Sequence, residues 1–356
     1  MSSNLTPIKN LEQHIFSLPP HHFSWNNWEL LVQLSDPEKT APDLVNASEK
    51  CVKNVLEAAR MHGVIEIVGR KLTPWFTNKG LESEIALLTQ ERQQLIAKTM
   101  LLDHHGNALS DMFSQYGIHS EIVKGPTFSN LLYKNREDRI YSDIDFLVKI
   151  DDVDRANRVI KDYGFVIGDK QLAAAERTLE YQWVLKTATL DILIEIQADL
   201  IHSPSLRRHV GYGYWEHTVA DRFNVSPLVK LLLTAIMHTA CSNKFGVLKV
   251  LVDVLQACRR LTPLDDIGLK LVVRQLQIEL EVVTTVNLVA NLFDDANAYR
   301  IAALFENVFH AKLSSRLITS DVIYASRYKR VPLRSGLHRL LFRIMQKSLW
   351  VRSLRA

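Results

Sequence analysis

The sequence predicts an α+β fold in which a small β-sheet lies between two helical regions. Three observations support this prediction. Apolar residues recur at helical spacing from Trp25 to about Gln115. Between residues 118 and 197, short segments instead alternate apolar and polar residues, as β-strands do. From Pro227 onward the helical spacing returns. The predicted order is therefore helices, a small mixed sheet with its own helices, and helices again.

Length and composition describe an ordinary globular protein with room for two domains. The chain has 356 residues, of which 47% are hydrophobic and 23% charged. Its polar first twenty residues lack a secretory signal, and the longest apolar run, 231–237, is too short to span a bilayer. Cys51, Cys241 and Cys258 have no metal-ligand spacing. We therefore expect a cytoplasmic protein with reduced thiols and no transmembrane segment.

The N-terminal elements follow from their apolar stripes and end signals. A first helix is expected to begin at Trp25 and a second at Ser48, whose hydroxyl is a favourable cap. A long helix follows from about Leu81 to Phe113, and Gly117 ends it.

The sheet-containing part is predicted to alternate strands, turns and helices. Its expected segments are a strand at 118–123, a turn at 124–126 into a helix, a strand at 142–148, a helix capped by Asp151 or Asp152 and ended by Gly164, and strands at 165–167, 181–185 and 189–197.

We expect four regions along the chain. They are an N-terminal helical region (1–116), the core with the sheet (117–225), a C-terminal helical domain (226–326) and a basic amphipathic tail (327–356).

Two aspartates inside an apolar run are the strongest chemical signal. On a strand Asp143 and Asp145 share one face, because side chains alternate between the faces. The other face is taken by Ile144, Phe146 and Val148. Two like charges held side by side repel each other, so they indicate either a solvent-facing edge or a bound cation. Mg²⁺ prefers one or two carboxylates together with water and substrate phosphates, and the pair therefore suggests metal-dependent phosphoryl or nucleotidyl transfer.

A third carboxylate on a later strand would complete a site for two metal ions. Glu195 lies on the polar face of the strand at 189–197, and Asp191 lies on the same face as the competing candidate. Two ions would clamp the attacking and leaving oxygens of a displacement at phosphorus. We favour Glu195, which would hold the metal that activates the acceptor or act as the base, with Asp143 and Asp145 bridging both ions.

Basic and small residues near this strand suit a nucleoside triphosphate donor. Lys124 would neutralise the triphosphate, and Gly125 would allow the backbone to approach a phosphate closely. Arg139 is either a phosphate or carboxylate contact or a salt-bridge partner of Asp143.

Three residues of the C-terminal helical domain are further candidates for the nucleotide or acceptor site. His238 lies on an apolar helix, where a hydrogen-bonded core residue is the alternative interpretation. Lys244 and Asp253 are expected either to reach the nucleotide or acceptor, or to have structural roles. In the second case Lys244 is a charge at a helix end and Asp253 is a buried cap.

These residues resemble a known family. The order Ile122-Val123-Lys124-Gly125, then Arg139, then Asp143-Ile144-Asp145-Phe146-Leu147-Val148 is similar to the uncharacterised nucleotidyltransferases of the polymerase-β-like superfamily. In that family a Lys-Gly turn precedes an arginine and an Asp-x-Asp strand.

The resemblance extends further along the chain. Glu195 corresponds to an acid on a later strand, and His238, Lys244 and Asp253 correspond to positions on downstream helices. Gln197 and Ala198 depart from the histidine and tryptophan common in the family.

The resemblance implies a polymerase-β-like nucleotidyltransferase core and a Mg²⁺-dependent activity. The expected reaction moves a nucleoside monophosphate from an NTP to a hydroxyl-type acceptor on a small molecule, sugar or peptide, and releases pyrophosphate. Two alternatives remain open at this point: a toxin-like or regulatory nucleotidyltransferase that modifies tRNA or protein, and a non-catalytic interaction module that retains the fold.

The last thirty residues form a basic, amphipathic segment. They contain nine Lys or Arg and no acid, so the net charge of +4 becomes −5 without them. Leu337, Leu340, Leu341, Ile344, Leu349 and Val351 form the expected apolar stripe. Such a helix can bind nucleic acid or lie on an anionic membrane. We favour docking on the chain's own acidic body.

Overall fold

The computed structural model describes residues 24–168, 171–172, 175, 178–187, 190–203, 206, 210–213, 226–306, 311–326 and 333–353. Its mixed helical and sheet architecture confirms the α+β prediction. The N-terminal helices are α1 (Trp25–Ser35), α2 (Glu49–Met61), α3 (Ile65–Asn78) and α4 (Glu82–Gln115). Side-chain oxygens of Ser24 and Ser48 cap α1 and α2. Gly117, with a φ of +62°, follows α4 and ends it as expected.

A four-stranded mixed sheet follows. Its strands and associated helices are β1 (Ser120–Ile122), α5 (Pro126–Leu132), β2 (Asp143–Val148), α6 (Val153–Tyr163), β3 (Glu180–Lys186) and β4 (Asp191–Gln197). The strand order is β1-β2-β4-β3. Strands β2 and β4 are parallel, and the outer strands pair antiparallel to them. The two central strands are therefore the ones predicted to carry the acids.

Two local predictions need correction. The segment 165–167 is not a full strand, because it makes a single bridge between Val166 and Val184. Asp152 precedes α6 but does not cap it. Its carboxylate instead accepts a hydrogen bond from the backbone N–H of His119 (3.0 Å).

The C-terminal region is helical, as predicted. Its elements are α7 (Pro227–Met237), a π-helical turn (His238–Asn243), α8 (Leu248–Arg260), α9 (Asp266–Leu276), α10 (Glu279–Phe293), α11 (Ala296–Ala303), α12 (Ala311–Leu317), α13 (Ser320–Ser326) and α14 (Leu333–Ser353).

Two hydrophobic cores hold the described residues together. The smaller core packs α4 and α6 against one face of the sheet, through residues such as Phe113, Ile144 and Ile160. The larger core joins the N-terminal helices to the C-terminal ones, through residues such as Trp28 and Leu232. The division into four regions stays a prediction, although the helices at both ends share one core.

The tail packs on the helical body, but not with the predicted face. Phe342 of α14 is 2% exposed and belongs to the larger core. Arg343 donates to the carbonyl oxygen of Cys241, and Arg339 donates to that of Phe245 (3.0 Å). Both arginines thus donate to backbone carbonyls of the helical body, on which the tail was predicted to dock. Leu337, Leu340, Leu341 and Ile344 of the predicted stripe are exposed, and the side chains of Leu349 and Val351 lie outside the described part of the structure.

The three cysteines all lie in described segments and form no disulfide. Among the helices described, none combines the length and the apolar character needed to cross a membrane.

Candidate active site

The register of the two parallel strands brings two acids side by side. Asp145 on β2 lies directly opposite Glu195 on β4, and Asp143 lies opposite Leu193. Neighbouring strands are about 4.8 Å apart, so these carboxylates share one small area of the sheet. Asp191 is exposed at the start of β4 and pairs with Lys186 of β3. Of the two candidates, Glu195 is the one beside the aspartates.

The carboxylates line a cavity of about 1000 Å³ between the sheet and the C-terminal helices. Eight of the nine predicted site residues line it: Lys124, Gly125, Arg139, Asp143, Asp145, Glu195, His238 and Lys244. The ninth, Asp253, is almost fully buried behind Arg139. The structure thus brings together residues that are more than 100 positions apart in the sequence.

A buried lysine faces the acidic pair. The Lys124 ammonium lies 2.6 Å from Oδ1 of Asp145, and both residues are buried. Burial opposes ionisation of both groups, but their attraction is stronger, so the pKa of Lys124 is raised and that of Asp145 is lowered.

Gly125 forms the turn that places Lys124. Its φ of +49° with a ψ of −112° is a conformation that suits glycine. A Cβ atom there would lie 3.3 Å from the carbonyl oxygen of Asp143, so the turn also passes close to β2.

Two glutamines hold the carboxylates in place. Gln197 donates from Nε2 to Asp145 and to Oε2 of Glu195 (3.2 Å), and Gln182 donates to Oε1 of Glu195 (2.8 Å). The side-chain Oε1 of Gln197 is hydrogen-bonded to Nε2 of His202 (3.0 Å). Gln197 is one of the departures from the family pattern, and here it bridges two carboxylates.

Burial and mutual repulsion disfavour the ionised forms of two of the three acids. Burial, together with the neighbouring Asp145, raises the pKa of Asp143. The same two causes raise the pKa of Glu195 to about 9. The cations around the cavity therefore do not fully offset the repulsion among the three carboxylates, and an additional cation would be stabilised here.

Arg139 is anchored from behind by a buried ion pair. Its Nε and Nη2 donate to Oδ1 (2.7 Å) and Oδ2 (2.9 Å) of Asp253 on α8. Tyr133 donates its hydroxyl to the same Oδ1 (2.7 Å). The salt-bridge partner of Arg139 is thus Asp253 and not Asp143, which one of its two predicted roles required, and Arg139 still lines the cavity. Of the two predicted roles of Asp253, contact with the nucleotide or acceptor and a buried cap, its burial and its two hydrogen-bond donors favour a buried structural role.

His238 and Lys244 lie at the two ends of the π-helical turn. Burial, together with the positive charge of Lys124, holds the pKa of His238 well below its usual value. In the described part of the chain, its buried Nδ1 has no hydrogen-bond partner. Lys244 is exposed and has a left-handed backbone, as does Phe245 after it. π-Helical turns and strained backbone concentrate at functional sites.

Two residues of the site, Lys249 and Gln197, were not predicted from the sequence. Lys249 on α8 lines the cavity, and burial together with Arg139 lowers its pKa to about 8. Lys249 lies four residues before Asp253, so both are on one side of the helix. This spacing is the feature of the sequence that could have identified Lys249 as a site residue.

The donor set fits a hard divalent cation. Its ligands would be carboxylate oxygens alone, which suits Mg²⁺, and the raised pKa values indicate repulsion that a cation would relieve. Among the residues described, no three acidic, histidine or cysteine side chains already converge as a metal site. Lys124 and Gln197 both bind Asp145, so a cation would require these side chains to turn away.

Clustered carboxylates and several cations around one cavity are groups that bind divalent cations and phosphates. Comparison with known proteins gives the family. The family model described as "Uncharacterised nucleotidyltransferase" matches residues 48–294, more than half of the chain. The chain therefore belongs to this nucleotidyltransferase family. Nucleotidyltransferases are a class of transferases. Neither the curated proteins nor the solved structures give a match.

Proposed function

We propose that this protein transfers a nucleoside monophosphate from an NTP to a hydroxyl-type acceptor and releases pyrophosphate. The observation that carries the proposal is the placement of Asp143, Asp145 and Glu195 on adjacent strands, facing one cavity. Family membership supports the same reaction class. A polymerase-β-like core and a cytoplasmic location belong to the proposal as well.

The cations around the cavity suit the triphosphate. Lys124 and Arg139 lie on the sheet side, and Lys244 and Lys249 lie on the helical side. A triphosphate carries several negative charges, and cations lining a cleft attract it and fix its position. In this account Asp253 binds no ligand, and its role is to hold the Arg139 guanidinium at the cavity wall.

The reaction forms one bond at phosphorus and breaks another. The acceptor oxygen attacks the α-phosphorus, the bond from that phosphorus to the oxygen that bridges it to the β-phosphorus breaks, and the electron pair leaves with pyrophosphate. Asp143, Asp145 and Glu195 would hold Mg²⁺, most simply two ions, which would supply charge neutralisation at the reacting phosphate. The neutral imidazole of His238 is available to accept the acceptor's proton, whereas the raised pKa of Glu195 favours its protonated carboxyl unless a cation is bound.

The acceptor is proposed to be a small molecule, a sugar or a peptide. A cavity of about 1000 Å³ is at the upper end of the usual range for small-ligand sites, so it has room for a nucleotide and a modest acceptor together.

Thermal shift with ATP, CTP, GTP and UTP, each with and without Mg²⁺, tests the proposal. A ligand at 100 times its Kd stabilises by about 2.7 kcal/mol, which for a chain of this size raises the melting temperature by roughly 4 °C. We expect such a rise with at least one NTP in the presence of Mg²⁺.

The variant Asp143→Asn should lose this shift, and the control Asp111→Asn, at an exposed position of α4, should keep it. If no NTP raises the melting temperature, or if Asp143→Asn retains the full shift, the carboxylates are not the nucleotide site.

A further inference from the structure

The last helix exposes an apolar face to solvent. Leu337, Leu340, Leu341 and Ile344 are 52%, 56%, 38% and 52% exposed. Their spacing of three, four and seven residues places them on one side of α14. Among the helices described, no other carries four exposed large apolar side chains. Single exposed leucines are ordinary, but a contiguous stripe of this kind marks an interaction surface.

The opposite side of the same helix is fixed to the protein. Phe342 and Gln346 are buried, and Gln346 donates to Glu281 of α10 (3.0 Å). Arg339 and Arg343 donate to backbone carbonyls of the helical body. The apolar face therefore points outward because the other face is held by buried contacts, so the helix cannot turn it inward without breaking them.

The positive charge of the tail indicates which kind of surface this face would bind. Residues 327–356 contain nine Lys or Arg and no acid. Lys347 is exposed next to the stripe. The exposed Lys347 beside this apolar face matches helices that lie in the interface of an anionic membrane, where basic residues flank an apolar side at the headgroup–acyl boundary.

The stripe also borders the cavity. Leu340, Arg343 and Lys347 line the cavity that contains the three carboxylates. A flat surface that covers the stripe would therefore lie beside the mouth of the candidate active site.

We propose that α14 docks on the surface of an anionic lipid bilayer through Leu337, Leu340, Leu341 and Ile344, and that the cavity mouth opens beside this surface. The helix would lie in the plane of the interface without crossing it, in agreement with its composition. The inference stands independently of the proposed reaction, because it rests on the exposed face and the charge of the tail.

Vesicle flotation of the full chain tests this docking. Vesicles of phosphatidylcholine alone are compared with vesicles that contain about 30% phosphatidylglycerol, at about 0.1 M and 0.5 M NaCl. We expect flotation with the anionic vesicles, and weaker flotation at the higher salt concentration because the charge attraction is screened. Absence of flotation with the anionic vesicles would overturn the proposal.

The face is tested with the double variant Leu337→Gln/Ile344→Gln. Its control is Leu87→Gln/Met100→Gln, which replaces two exposed apolar residues of α4. Because the stripe residues would each bury roughly half a side chain in lipid, we expect the first variant to partition about tenfold less and the control to match the wild type.

If the Leu337→Gln/Ile344→Gln variant and its control bind the anionic vesicles equally, the assignment of the docking face to α14 is overturned. Size-exclusion chromatography adds a second decisive outcome. A wild-type dimer that becomes a monomer only in the Leu337→Gln/Ile344→Gln variant would show that the face binds another protein copy.

Discussion

Replacing Asp253 by asparagine removes the negative charge that compensates the buried Arg139 guanidinium. Both side chains are almost inaccessible, and two hydrogen bonds of 2.7 and 2.9 Å join them. Loss of one partner from such a pair leaves an uncompensated charge and costs about 3–5 kcal/mol. Tyr133 can still donate to the asparagine carbonyl, so we expect the cost to come from the ion pair.

Urea unfolding followed by tryptophan fluorescence measures this change. Asp253→Asn should lower the free energy of unfolding by about 3–5 kcal/mol, whereas Asp111→Asn on the exposed side of α4 should change it by less than about 0.5 kcal/mol.

The double variant Arg139→Met/Asp253→Leu removes both charges and should recover most of the loss, because no unpaired ion remains. A cost below about 1 kcal/mol for Asp253→Asn, or a double variant as unstable as the single one, would refute a buried, mutually dependent pair.

Three further predictions address the third carboxylate, the turn and the pH dependence of stability. Glu195→Gln should abolish nucleotide-dependent thermal stabilisation and turnover, and Asp191→Asn should leave both intact, because only Glu195 lies opposite Asp145. Gly125→Ala should lower the free energy of unfolding by about 1–3 kcal/mol through backbone strain, measured in urea. Burial raises the pKa of Glu66 from its usual 4.5 to about 7, so the folded state binds its proton more tightly than the unfolded state. Between about pH 4.5 and 7 the stability contributed by this group is therefore lost as pH rises, about 3 kcal/mol in total, and Glu66→Gln should remove that slope in urea titrations at pH 5 and 8.

Each of these three has a result that contradicts it. An inactive Asp191→Asn with an active Glu195→Gln would mean that the third ligand is assigned wrongly. Unchanged stability of Gly125→Ala would show that the turn tolerates a side chain. If Glu66→Gln and the wild type lose the same stability between pH 5 and pH 8, the Glu66 carboxyl is not protonated in the folded protein.

Local patterns in the sequence were sufficient for the elements that carry the acids. Strict alternation placed Asp143 and Asp145 on one face of a strand, and the structure has that strand at Asp143–Val148. The same alternation placed Glu195 on the polar face of β4. Gly117 and Gly164 ended their helices as expected, because both adopt positive φ. Such features depend on nearby residues alone, so the hydrophobic periodicity of the sequence is sufficient to predict them.

Features that depend on distant contacts could not be read from the sequence. Arg139 pairs with Asp253 across 114 positions, so no local spacing distinguishes this partner from Asp143. The bridging role of Gln197 appears once β2 and β4 are paired in register. In α14 the four described residues of the apolar stripe are exposed, because Phe342 and two arginine–carbonyl contacts decide which face packs on the body.

The central claim is that the three carboxylates and the lysines opposite them bind a metal–nucleotide complex. The most direct measurement is the crystal structure of the protein with Mg²⁺ and an NTP analogue whose α–β bridging oxygen is replaced by a methylene group. We expect Mg²⁺ on Asp143 and Asp145 and the triphosphate beside Lys124. Nucleotide bound elsewhere, for example in the smaller cavity next to Trp25 and Ser320, would contradict the account.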